Sequence, residues 1–169
     1  MSKKDPSFFK DQNTLIRCIT DANMQRGRVS SAAYKISKKS EEYLSVCCKE
    51  IGDTQEIITY FHHVVLKEQG NKVVSTNHTI KEINRAANNA KNNLIKYGKE
   101  QGFLYDNAHA SYENIPSQNK QYASIGKSHC GIMFVKILNE FEEHSFAQEL
   151  SNNISKNKSK LTVTPFHKA

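Results

Sequence analysis

The sequence predicts an all-α fold, a single-domain helical bundle of five or six helices with one long irregular loop at about 103–126. Three observations point that way. Apolar residues recur at three- and four-residue spacings along most of the chain, the period of a helix that buries one face. Capping residues stand where those stripes begin, Asp53 followed by Glu56 being the clearest pair. Only residues 72–75, Lys-Val-Val-Ser, have the character of a strand.

The first stripe, about 7–25, sets Phe8, Leu15, Ile16, Ile19 and Ala22 near one face, with Asp5-Pro6 as its start and Gly27 as its stop. A second runs over 30–51 through Ala33, Ile36, Tyr43, Leu44, Cys47 and Ile51. Asp53 then caps a third helix, whose apolar face is Ile57, Ile58, Phe61, Val64 and Val65 and which Gly70 ends. A fourth opens at Asn77 or Thr79. Its Ile80, Ile83, Ala87, Ala90, Leu94 and Tyr97 form a short coiled-coil-like seam whose alanines admit a partner helix closely. Periodicity is lost over 103–126, where turn formers such as Asn107, Asn114 and Pro116 mark the irregular loop. The last helix covers about 128–154, and 132–138 is apolar nearly all round, so it is expected at the centre of the bundle. Residues 1–155 therefore make the helical domain, and 156–169 a basic, flexible tail.

At 169 residues the chain fits one core. Its start carries charge without an apolar h-region, so no secretory signal is expected. No run approaches the roughly 18 apolar residues of a membrane span. A cytoplasmic location follows as the expectation.

The formal charge is +7, yet of 24 basic residues only Arg17, Arg26, Arg28 and Arg85 are arginines. Base and phosphate readers favour the planar arginine fork, so the lysine excess reads first as a solvated surface. Non-specific nucleic-acid binding through that surface is one alternative function.

Four cysteines occur, Cys18, Cys47, Cys48 and Cys130, with no CxxC pair and no histidine at zinc-finger spacing. His62-His63 and the Glu140/His144 pair lack the Glu-x-x-His spacing of a di-metal bundle. No metal and no cofactor is expected. Ile125-Gly126-Lys127-Ser128 matches the end of a phosphate-binding loop, but Gln121 stands where its first glycine belongs.

Ser128-His129-Cys130-Gly131-Ile132-Met133-Phe134 resembles the nucleophile box of the ubiquitin-like-protein proteases and the YopJ-type acetyltransferases. The resemblance implies a cysteine-dependent protease or acyltransferase with Cys130 as nucleophile at a helix start and His78 or His109 as the upstream imidazole. His129 replaces the acidic residue of that box, and Ser124 stands where the family has glutamine.

Glu140, Glu142, Glu143 and Glu149, followed by a Ser/Asn/Lys/Thr-rich end with Phe166, resemble the glutamate block and terminal hydrophobe of effectors exported by bacterial Dot/Icm-type type IV secretion systems. The resemblance implies export, with the host cytosol as destination. The leading expectation is a protein–protein interaction module, of the kind a secreted effector or accessory protein provides. It would bind a protein partner through helix faces and the 103–126 loop, with Phe103, Tyr105, Tyr112 and Tyr122 as contacts. The cysteine enzyme centred on Cys130 is the alternative.

Overall fold

Alternation, not a 3.6-residue period, governs the first apolar segment. A computed structural model describes residues 10–35, 44–90, 103–104, 128–132 and 139–166, and it overturns the all-α bundle. In Thr14–Ile19, strand β1, Leu15, Arg17 and Ile19 face one side while Ile16 and Cys18 face the other. The expected first helix is in fact β1, a 3-10 turn at Asp21–Asn23 and the short strands β2 (Met24–Gln25) and β3 (Arg28–Val29). The expected second helix is a 3-10 turn at Ser31–Tyr34 and β4 (Leu44–Cys48), in which alternate residues are fully buried.

The third and fourth helices start where their caps predict. Asp53 accepts from the Glu56 N–H at 2.9 Å and opens α1 (Thr54–Tyr60), which runs on into a π-helical turn at Phe61–Val65. Thr79 accepts from the Glu82 N–H at 3.2 Å and opens α2 (Ile80–Asn89). The eight residues before it form β5 (Lys72–Thr79), twice the length of the expected strand. Leu94 and Tyr97 of the expected seam lie outside the described residues.

Phe103–Leu104 form β6, and His129–Ile132, expected to begin the central helix, form β7. Residues 133–138 lie outside the described part. Asn139 then opens α3 (Glu140–Lys156), and the expected tail returns to the sheet as β8 (Leu161–Pro165) after a 3-10 turn at Lys158–Lys160.

Six strands make one antiparallel sheet in the order β6-β7-β4-β1-β5-β8, and β2 and β3 make a separate hairpin. α2 and α3 cover one face. There Leu15, Val46, Val74 and Ile132 meet Ile80 and Ile83 of α2 and Phe146 and Leu150 of α3. α1 and the π turn cover the other, where Ile57, Tyr60 and Val64 pack on Ile16, Cys18 and Cys47.

The edge at β8 turns few backbone donors outward. The Phe166 N–H donates to the Asn71 carbonyl at 2.7 Å, which sets the phase of the β5–β8 ladder and turns the backbone of Leu161, Val163 and Pro165 outward. Proline has no N–H, and the Leu161 N–H already donates to the Lys158 carbonyl. An edge with so few outward donors is a poor template for a further strand.

The core prediction is direct. Phe146 is fully buried between the sheet and α2, whereas Phe141, five residues earlier on α3, is 80% exposed. We expect Phe146→Ala to lower unfolding free energy by about 3–5 kcal/mol. Phe141→Ala should change it by no more than about 0.5 kcal/mol. Urea melts of the two variants check this.

Candidate functional site

The β2–β3 hairpin is the starting point. Met24 pairs with Val29 and Gln25 with Arg28, leaving Arg26 and Gly27 as a two-residue loop with φ of +49° and +76°. Two successive positive φ values make a type I′ turn, whose first position favours Asn, Asp or Gly. Arginine there holds its Cβ against the backbone at a cost of about 1–2 kcal/mol. Strain of this kind persists where the side chain is needed.

α3 faces the hairpin. Its Gln148, Ser151, Asn152 and Ser155, at i, i+3, i+4 and i+7, lie along one polar stripe. The buried Ser151 hydroxyl donates to the Val29 carbonyl at 2.6 Å and ties hairpin to helix. Gln148 Nε2 donates to Asn152 Oδ1 at 3.0 Å, holding the two carboxamides side by side. Between stripe and hairpin lies an open cleft of about 860 Å³, which Ser30 and Ser31 also line. Arg26 and Arg28 are its charged lining residues, and the described lining contains no carboxylate. A guanidinium presents a fixed fork of N–H donors, so two of them over hydroxyls and carboxamides suit an oxyanion.

The Ser30–Ser31 part of the lining is rigid because it is wired into the core. The Ser30 side chain accepts from the Ala32 N–H at 3.2 Å and starts the 3-10 turn Ser31–Tyr34. Arg17 Nε donates to the Ala33 carbonyl at 2.5 Å and its Nη1 to the Ser45 carbonyl at 2.7 Å. At the end of the turn the buried Tyr34 hydroxyl donates to Thr76 Oγ1 at 2.8 Å and shares a 2.8 Å hydrogen bond with His78 Nε2. His78 Nδ1 lies 3.5 Å from Glu82 Oε2, and Lys160 Nζ pairs with the other oxygen of that carboxylate.

Burial lowers the His78 pKa from its ordinary 6.5, outweighing the neighbouring Glu82. For Glu82 burial works upward, but the bonds from His78 and Lys160 together prevail and bring it down to about 2. Burial also pushes the Tyr34 hydroxyl up. Because Tyr34 gives its hydrogen to Thr76, His78 donates from Nε2, and its bond to Glu82 requires a second proton on Nδ1 that burial disfavours.

The residues expected at a site fall elsewhere. Cys130 is a core residue of β7, 1% exposed and not at a helix start. His129, one residue earlier, points to the opposite face, where its Nε2 lies 2.5 Å from Ser45 Oγ. Counting across the sheet, Cys130 stands opposite Val46, then Arg17, then Thr76, so β5 and its His78 are three strand spacings away, about 14 Å. His78 is engaged with Tyr34 instead, so the sheet does not bring it to the Cys130 thiol. His109 lies outside the described residues. On the opposite face, burial pushes the Cys18 and Cys47 thiols up to about 12, far from the thiolate range of a nucleophile.

Of the expected partner contacts, Phe103 contributes its backbone to β6, and Tyr105, Tyr112 and Tyr122 lie outside the described residues. Glu140, Glu142 and Glu143 form the first turn of α3, where negative charge suits the helix dipole; Glu142 closes a capping box with Asn139. Glu149 accepts from Asn89 Nδ2 at 2.5 Å. Phe166 stacks on His62, ring centroids 4.0 Å apart. Among the described residues no group of three or more His, Cys, Asp or Glu is arranged to hold a metal ion, and no helix is long and apolar enough to cross a membrane.

Sequence reasoning missed the cleft, although two signals were present. Arg26-Gly27-Arg28 reads as a tight turn flanked by guanidiniums, and the 148/151/152/155 stripe is uncharged where a solvated helix face is normally charged. No protein-family model matches the chain, and no curated protein or solved structure matches it.

Two outcomes follow. A group whose pKa is depressed on folding binds its proton more readily in the unfolded chain, so it stabilises above its unfolded pKa and ceases to as pH falls through the folded one. We expect the melting temperature to fall as pH drops below 6.5, through His78, and further from 4.5 toward 2, through Glu82. Glu82→Gln should flatten the second limb, as thermal melts across that range would show. Separately, Arg26→Asn relieves the turn and should raise unfolding free energy by about 0.5–1 kcal/mol in a urea melt.

Proposed function

We propose that this protein is a binding module for an anionic ligand, held in the cleft between the β2–β3 hairpin and α3. One observation carries the reading: Arg26, in a left-handed turn position that suits Asn or Gly, lines the cleft together with Arg28. The fold keeps a strained backbone to place a charge there. The described lining offers hydrogen bonds and positive charge, the chemistry of capturing an anion.

Titration calorimetry with inorganic phosphate and tripolyphosphate at low ionic strength tests this. Wild-type protein should bind tripolyphosphate, and both Arg28→Ala and Arg26→Asn should weaken it tenfold or more, about 1.4 kcal/mol or above. Arg26→Asn is the sharper variant, because the same change that weakens binding should stabilise the fold. Equal binding by wild type and both variants, or none by wild type, defeats the proposal.

A protein partner is the second reading, and the Phe141 ring favours it. It stands 80% exposed on the first turn of α3, one of three large apolar side chains the described surface leaves open. Contact through that ring would survive the arginine substitutions and be lost in Phe141→Ser.

A further inference from the structure

We infer that the ligand of the cleft is a phosphorylated polyol or sugar; the inference rests on the cleft being an anion site. Its lining divides into two chemistries. Arg26 and Arg28 offer only donors, each as a planar fork that matches a phosphoryl group. The rest is carboxamide and hydroxyl. Gln25, Gln148 and Asn152 each carry an acceptor oxygen as well as donors, and Ser31 and Ser155 do both through one atom.

Inorganic phosphate near neutral pH carries only one or two P–O–H donors, fewer than the acceptors this lining offers. A hydroxyl both donates and accepts. A ligand that joins one phosphoryl group to several hydroxyls therefore satisfies both parts of the lining at once.

What the lining lacks narrows the class further. None of the described lining residues is aromatic. Stacking, worth about 1–3 kcal/mol per base in proteins that hold single strands, has no platform there. A nucleotide or a single-stranded RNA is disfavoured for that reason. Val29 is the one apolar side chain in the described lining, so an acyl chain or an apolar anchor of a peptide finds no pocket. The open cleft, with a volume of about 860 Å³, leaves space beyond a single sugar ring.

The geometry also orders the ligand. Arg26 and Arg28 stand on the hairpin, whereas Gln148, Asn152 and Ser155 stand on α3 across the cleft. The phosphoryl end then lies against the hairpin and the hydroxyl-rich body against the helix stripe. The Gln148–Asn152 hydrogen bond presents a paired carboxamide edge to that body. The Ser151 hydroxyl, already donated to the Val29 carbonyl, holds the two walls together.

Calorimetric titrations of the full chain test this with inorganic phosphate, glucose, glucose 6-phosphate, inositol 1-phosphate, adenosine monophosphate and a single-stranded RNA hexamer. At least one of the two phosphorylated polyols should bind tenfold or more tightly than both phosphate and glucose. An Asn152→Ala/Ser155→Ala variant, altered at two exposed positions, should shrink that margin to less than threefold. If phosphate binds as tightly as both polyol phosphates, the anion site stands and the ligand class falls. Tighter binding of adenosine monophosphate or the RNA than of either polyol phosphate also overturns the class. If no phosphate-bearing probe binds, the anion site itself falls.

Discussion

The short turn Ser31–Tyr34 is the piece on which the rest of the arrangement depends. It is held at one end by the Ser30 cap and in its middle by the Arg17 guanidinium on the Ala33 carbonyl. At its far end the buried Tyr34 hydroxyl bonds Thr76 and His78. Buried polar groups of this kind stabilise only when every partner is in place, so they fix one position of the turn instead of a range. That position seats α3 against the sheet, and α3 in turn carries Phe146, Leu150 and Ile154 into the core. The same turn, through Ser30 and Ser31, lines the cleft. Core and cleft thus share a wall.

Sharing a wall explains why the cleft stays open while carrying little apolar surface. Its two sides are separate elements, a two-stranded hairpin and a helix, and a lone hairpin is marginal in water. The Ser151–Val29 hydrogen bond and the anchored turn supply the order that the hairpin's two-residue strands cannot. With the frame held in this way, the hairpin tolerates Arg26 in a left-handed conformation. Left-handed backbone occurs also at Lys67 and Glu68, so the conformation of Arg26 supports a functional position only together with its place in the cleft.

Two helix starts were legible because caps are local chemistry: Asp53 and Thr79 each bond an N–H three residues on, whereas the Asn139 cap fell inside the helix expected over about 128–154. The strands were not legible, for two different physical reasons. In β1, Leu15, Ile16 and Ile19 satisfy one-, three- and four-residue spacings as well as alternation across a sheet buried on both faces, and a short run cannot separate the two. In β5 the buried residues include Ser75, Thr76 and His78, and the partners of Thr76 and His78 on β1 and the 3-10 turn lie far away in sequence. The cleft was hidden likewise. Arg26-Gly27 looked like a helix stop because its turn type depends on a partner strand, and the α3 stripe looked like a solvent face until the hairpin was set opposite it.

Backbone amide chemical shifts in a nitrogen–proton correlation spectrum, followed during titration with tripolyphosphate, test the central claim most directly. The account places the largest perturbations at Gln25–Ser31 and along Gln148–Ser155, with α1 on the far face of the sheet unmoved. Perturbations spread evenly over the lysine-rich surface, or none at the hairpin, would contradict it.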